Sequence, residues 1–212
     1  MIAVLTGDIV GSSYQDKTKW IPALKSALQL YGQEGKDWEV YRGDEFQLRL
    51  TVPQDALSAA FLIKARLIAQ ADTHIRIAMG IGPGEAQDNS QPPFTTPLTE
   101  SGGPAFILSG RKLDEIKNRR IHLAVASENE AWDKNWNLLL QWVLVTADNW
   151  SQGSAEIVDL CLVHPELSQT EMAAQLNIAQ SAISQRLKRS GFDLLDQTIQ
   201  LFKEKMNTLW KP

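Results

Sequence analysis

The chain of 212 residues has a single cysteine, Cys161, so no disulfide framework can form within it. Long apolar runs are missing as well. The one at the N-terminus, Ile2-Ala3-Val4-Leu5, stops at Thr6-Gly7-Asp8, too short for a signal peptide and far too short to span a bilayer. A cytoplasmic protein with no membrane partner is expected. There is no excess of positive charge: 21 Lys and Arg face 25 Asp and Glu, a formal net charge of −4. Contact with nucleic acid therefore has to come from a local patch. Internal repeats and low-complexity tracts are also lacking. The remainder is a globular chain long enough for one or two domains.

Two short acidic segments stand out. Ile2-Ala3-Val4-Leu5 reads as a buried strand, with Gly7 and Gly11 letting the backbone turn around Asp8 as the strand ends. Trp38, Val40 and Tyr41 precede Gly43, and Phe46, Leu48, Leu50 and Val52 alternate with polar residues after it, the pattern of two strands joined by a tight turn. Asp44 and Glu45 fall at that turn. If the strands are neighbours, Asp8 and Asp44 converge, and two close carboxylates repel unless one is protonated or a cation bridges them. Mg²⁺ satisfies such a set with carboxylate oxygens, a backbone carbonyl and a bound phosphate. The plainer alternative is that Asp8 caps a helix and Asp44-Glu45 are ordinary turn acids.

These segments resemble a known family. Asp8-Ile9-Val10-Gly11 is similar to the first metal motif of class III nucleotide cyclases, and Gly43-Asp44-Glu45-Phe46 to their second, or to the signature turn of the related diguanylate cyclases. Arg76 to Glu85 resembles the strand and glycine turn that follow in those enzymes, and Gly103 to Arg111 the helix carrying their catalytic asparagine and arginine. The resemblance implies Mg²⁺ or Mn²⁺ held by Asp8, Asp44 and the carbonyl of Ile9. It also implies a nucleotide contacted by Gly11, Gly43, Glu45, Glu100 and Arg111, with Arg111 facing the triphosphate and catalytic if the chain is an enzyme. The sequence departs from the family at Ile107, where the asparagine belongs one helical turn before the arginine. Losing one such hydrogen bond in a transition state typically costs about 10²–10³ in rate. Val40 stands near the family's base-reading lysine, so nucleotide binding is the firmer expectation and cyclisation the weaker.

The fold class expected is α+β. Helical stripes cover Lys17 to Leu30 and Gln54 to Ala71, and Ile121 to Ala126 reads as a last strand. Strand, helix, strand, strand, helix, strand is a ferredoxin-like, palm or nucleotide cyclase-like arrangement, an antiparallel sheet with helices on one face. Residues 87–102, with three prolines and no apolar period, read as a loop. The expected division is 1–127 for this domain, 128–150 for a Trp-rich linking helix and 151–212 for a small all-α domain. Trp132, Trp136, Trp142 and Trp150 fall in or beside that helix, packing between domains or subunits. Residues 149–154 read as a short linker.

The last sixty residues carry their own signal. Ser168 begins a helix as an N-cap with Glu171 three residues on, the capping-box spacing. Ala173 is small where two helices would cross, Leu176, Ile178 and Ile183 fill a little core, and Asn177 sits where the turn wants a left-handed residue. Gln169 to Leu187 resembles the helix-turn-helix of phage repressors and bacterial regulators. The resemblance makes Gln180 to Arg189 a recognition helix, with Gln180, Ser181, Ser184 and Gln185 at base edges and Arg186, Lys188 and Arg189 on phosphates. Residues 151–212 hold six Lys or Arg against seven Asp or Glu, so a protein-docking module is the alternative. The last helix, Leu194 to Leu209, has Leu195, Ile199, Phe202 and Met206 near one face, to pack the domain or join two copies.

A cyclase-like half fused to a helix-turn-helix resembles the SatD family of small bacterial proteins. The expectation is a DNA-binding transcriptional regulator, a homodimer, whose first domain binds a nucleoside triphosphate or cyclic nucleotide with the metal, or dimerises. The alternatives are an active nucleotide cyclase or nucleotidyl transferase, working as a head-to-tail pair with a shared site, and a dimerisation scaffold with no ligand.

Overall fold

Alternation of side chains along the strands decides what each face of the central sheet meets. The computed structural model describes residues 1–41, 43–84, 97–98 and 101–209. The strands are β1 (Ile2–Ile9), β2 (Trp38–Tyr41), β3 (Glu45–Leu50), β4 (Ile75–Gly82) and β5 (Leu123–Ala126). They lie in the order β2-β3-β1-β4-β5. β1 is antiparallel to β3 and β4, and β2 to β3, while β5 runs parallel to β4. The wholly antiparallel sheet expected from the sequence is thus a mixed one. A helix connects β4 to β5, and a helical crossover returns the chain in the same direction.

Among the described residues the eight α-helices are α1 (Lys17–Leu28), α2 (Ala56–Ala71), α3 (Pro104–Arg119), α4 (Glu130–Ala147), α5 (Gln152–Val163), α6 (Gln169–Leu176), α7 (Gln180–Ser190) and α8 (Phe192–Leu209). On one sheet face Ala3, Leu5, Ile9, Phe46, Leu48, Ile77 and Met79 pack with Trp20 and Leu24 of α1 and Phe61 of α2. Each large side chain fully buried there stabilises the fold by about 1.5–3 kcal/mol. On the other face Ile2, Val4, Ala78 and Ala124 meet Ala105, Leu113 and Ile116 of α3. Helices therefore cover both faces, where the sequence pattern had placed them on one. Small residues make room for α3: a Cβ on Gly80 would fall against the Ala105 carbonyl and the Ser109 nitrogen.

Helix α2 is buried nearly all round, Lys64 and Arg66 included, as a helix enclosed by other elements must be. Both cations have partners. Arg66 donates to both oxygens of Asp159 on α5 and to the Ser26 carbonyl on α1. The Lys64 Nζ lies 2.6 Å from Asp148 Oδ1, just beyond the end of α4, and His122 Nδ1 lies 3.1 Å from the same oxygen. Burial pulls the Lys64 ammonium down, only partly offset by Asp148. Burial alone would raise the Asp148 carboxyl, but His122 and Lys64 together hold it below the ordinary carboxylate range.

The tryptophans of residues 128–150 divide by position. Trp136 packs edge-on against Phe202 of α8, their ring centres 5.0 Å apart, with Trp132 beside both. Trp150, in the stretch that reads as a linker, is 6 % exposed and donates its Nε1 hydrogen to the Ser190 carbonyl. Ser151 then caps α5. Trp142 is 71 % exposed. At the edge strand β5, the Asn137 amide of α4 donates to the Val125 carbonyl and accepts from the Val125 N–H. A smaller core of Ile157, Cys161, Met172, Ala173 and Ile183 joins α5, α6 and α7.

Candidate functional site

Strand register, more than loop geometry, builds the acidic site. Asp8 stands opposite Glu45 of β3 and Arg76 of β4, all on the face that α3 covers. Asp8 is 6 % exposed, and a carboxylate so placed needs a cation or several donors. Arg76 supplies both: Nε reaches Oδ1 at 3.0 Å and Nη2 reaches Oδ2 at 2.7 Å. Hydrogen bonding to Asp8 pushes the Arg76 guanidinium up from its already high value. Lys117 of α3 stands 4.0 Å from Asp8 and 3.0 Å from Glu45. Arg76 and Lys117 thus balance the charges of Asp8 and Glu45.

Asp44 lies beside this cluster. Its carbonyl accepts from the Ile9 N–H at 3.1 Å, tying the turn to the end of β1, and its carboxylate accepts from Ser12 Oγ at 2.6 Å. Gly11 and Gly43 have φ of +67° and +82°, left-handed values that favour glycine, so both turns need it. The Lys17 ammonium approaches Gly43. Deeper in the sheet Thr6 and Ser109 share a hydrogen bond of 2.8 Å. Asp8, Asp44, Glu45, Gly11, Gly43 and Ile9 thus gather at one end of the sheet.

Arg111 does not join them. The sheet-facing side of α3 is Ala105, Ser109, Leu113 and Ile116, while Arg111 and Ile107, the latter 52 % exposed, look outward. Glu100 lies outside the described residues. Asp8, Asp44 and the Ile9 carbonyl are hard oxygen donors of the kind Mg²⁺ takes. Among the described residues no group of three or more His, Cys, Asp or Glu side chains is placed to hold a metal.

The second candidate surface is α7. The turn from α6 is closed by Asn177 at φ +51°, and Ser168 and Glu171 form the reciprocal capping box at the start of α6. Ala173 is 7 % and Ile183 0 % exposed, with Leu176 and Ile178 packed against them. That core fixes which side of α7 looks out. Gln180, Ser181, Ser184, Gln185, Lys188 and Arg189 are all exposed, with Gln180 bonded to Gln169 of α6. Arg186 is half-buried, lies over Gly153 and is paired with Glu156 of α5. Its charge is engaged within the fold.

Arg76 and Lys117 are the residues that sequence reasoning missed at the acidic end. Only the pairing of β1 with β4 and the placement of α3 bring them there, although Arg76, polar in an apolar strand, was a signal. Among the described residues no helix is long and apolar enough to cross a membrane. The family model of the SatD family matches residues 2–205. No curated protein and no solved structure matches the chain.

Proposed function

The chain belongs to the SatD family, and from that footing we propose that it is a DNA-binding transcriptional regulator whose sheet half is a ferredoxin-like, cyclase-like nucleotide-sensing domain. The observation that carries the reading is the outward face of α7: four side chains able to read base edges, followed by Lys188 and Arg189 in its last turn. Gln makes a bidentate contact to adenine, Ser contacts several bases, and the two cations supply the local positive charge that a chain of net charge −4 otherwise lacks. In this reading α6 and α7 are a helix-turn-helix, and Arg186 positions α7 on α5 more than it binds phosphate.

The sensing half is read from the acidic end of the sheet. Asp8, Asp44 and the Ile9 carbonyl would hold Mg²⁺ or Mn²⁺, which when bound neutralises the phosphates of a nucleotide. Arg76 and Lys117, freed from Asp8 and Glu45, are the cations available to the same phosphates. Arg76 is then an exchangeable counter-ion: on the carboxylate without ligand, on the phosphate with it. The same oxygen set would serve a cyclase, but Ile107 and the outward Arg111 of one copy add nothing to that chemistry around its own Asp8.

The test is selection of double-stranded DNA from a random pool, followed by gel shifts with and without Mg²⁺ and each nucleoside triphosphate. Ser184→Ala and Gln185→Ala are expected to relax sequence preference. Lys188→Ala and Arg189→Ala should weaken binding evenly across sequences and each lower the salt slope by about one. No retarded DNA at low salt under any nucleotide condition sinks the proposal.

A further inference from the structure

Helices α4 and α8 are each apolar on two sides. The inner stripe of α4, Trp136, Leu140, Leu144 and Ala147, is buried, and so are Leu195, Ile199, Phe202 and Met206 of α8. One such stripe is enough for a surface helix. Yet α4 carries a second along Leu138, Trp142 and Val145, exposed by 60 %, 71 % and 64 %, and α8 a second at Leu194 and Leu201, exposed by 69 % and 39 %. Trp142 of the one and Leu194 and Leu201 of the other line a groove of about 730 Å³ whose floor includes Ala147, Trp150 and Gly191, and Leu138 and Val145 stand on the ridge beside it.

We propose that this α4–α8 groove is where a second copy of the chain docks, forming a two-fold symmetric dimer. Three observations select that occupant. Ridge and groove lie on one continuous surface, so Trp142 of each copy can enter the groove of the other, the reciprocity a two-fold interface demands. The lining holds no cation, and Asp196 and Glu204 are its charged residues among otherwise neutral side chains; charge is depleted at the core of protein interfaces, whereas a nucleic acid needs cations. Trp142, Leu194 and Leu201 along the groove, with Leu138 and Val145 on the ridge beside it, offer roughly 600 Å² per copy, against about 800 Å² per partner in a standard stable interface, and the polar rim supplies the rest.

The floor of the groove gives the dimer a consequence. Trp150 is hydrogen-bonded to Ser190, the last residue of α7, and Gly191 packs against Thr146 of α4. The mate therefore seats against the corner from which α7 projects, and docking fixes how two copies of α7 are set relative to each other. This goes beyond the proposed DNA reading and depends on it only for that consequence.

Sedimentation velocity and light scattering of the full chain across a concentration series test the interface. The wild type is expected to be a dimer, and Trp142→Asp to weaken self-association at least about 100-fold, since a central tryptophan is a typical hot spot. Val52→Asp, at an exposed apolar residue before α2, should leave the dimer intact. Thermal melting checks folding, and if Trp142→Asp does not fold, Leu194→Glu on the facing wall decides in its place. A wild type that stays monomeric to about 100 μM, or a folded variant that dimerises undiminished, overturns the proposal. A monomer that still retards DNA separates its failure from failure of the DNA reading.

Discussion

Replacing Asp148 by asparagine removes a charge while keeping the shape of the side chain, and leaves Lys64 enclosed without its anion. Lys64 is 2 % exposed, and its Nζ sits 2.6 Å from the carboxylate. Removing one partner of a fully buried pair costs about 3–5 kcal/mol. Asp148 keeps 29 % of its side chain in contact with water, so the low end applies, about 3 kcal/mol. For a chain of this size each kcal/mol moves Tm by roughly 2–4 °C, so Asp148→Asn should melt about 6–12 °C below the wild type at pH 7. Lys64→Met alone leaves Asp148 with His122 at 3.1 Å and partial contact with water, so it should cost less than Asp148→Asn, and Lys64→Met with Asp148→Asn should recover most of the loss.

The dependence on pH has a definite sign. Folded Lys64 is already pulled below its ordinary 10.5 by burial, so the unfolded chain holds the proton longer and stability rises with pH in the window below 10.5. Losing Asp148 removes the group that opposes this shift and extends the window to lower pH. The deficit of Asp148→Asn should therefore shrink between pH 7 and 10 in urea titrations followed by circular dichroism. A variant that melts with the wild type, or a deficit that grows with pH, refutes the reasoning.

Gly80→Ala drives a methyl group into the backbone of α3 at Ala105 and Ser109, so the helix must shift; a loss of about 3 kcal/mol in urea unfolding is expected, and an unchanged midpoint contradicts the close approach. Asn177, held at φ +51°, should tolerate glycine within about 0.5 kcal/mol, whereas Asn177→Val should cost about 1–2 kcal/mol by the same measurement. Equal effects of the two substitutions would show that the turn does not depend on the left-handed conformation.

Local signals carried much of the fold. The alternation of Phe46, Leu48 and Leu50 marked β3, and the capping box with Asn177 marked the α6–α7 turn to the residue. Boundaries moved where composition misled. Pro53 to Asp55 form a separate turn ahead of α2, and α4 stops at Ala147 because the chain must turn to bury Trp150. What stayed hidden was set by distant partners. Asp8 read as a carboxylate at a strand end calling for a cation, but its burial and the choice of Arg76 as its counter-ion depend on a register that places residue 76 opposite residue 8. Lys64 reads in the sequence as one polar position on an apolar helix, and only the return of α4 and α5 over α2 makes it buried. The second apolar stripe of α4 was visible as excess tryptophan, yet only the fold tells Trp142, outside, from Trp136, inside.

One small contact reaches further than its size. The Asn137 side chain offers β5 one donor and one acceptor, at 2.8 Å and 2.9 Å from Val125, in the way a sixth strand would. An amide on a helix imitates a peptide unit but cannot propagate one, so hydrogen bonding along that rim ends there. A strand from another molecule would have to displace that amide to pair with Val125, which makes this edge a poorer template for sheet growth. Together with Asp133, which accepts from the Ser127 N–H just beyond β5, the Asn137 side chain occupies the edge, and Asn137→Leu, which packs but cannot pair, is expected to expose Val125 and to speed aggregation followed by light scattering.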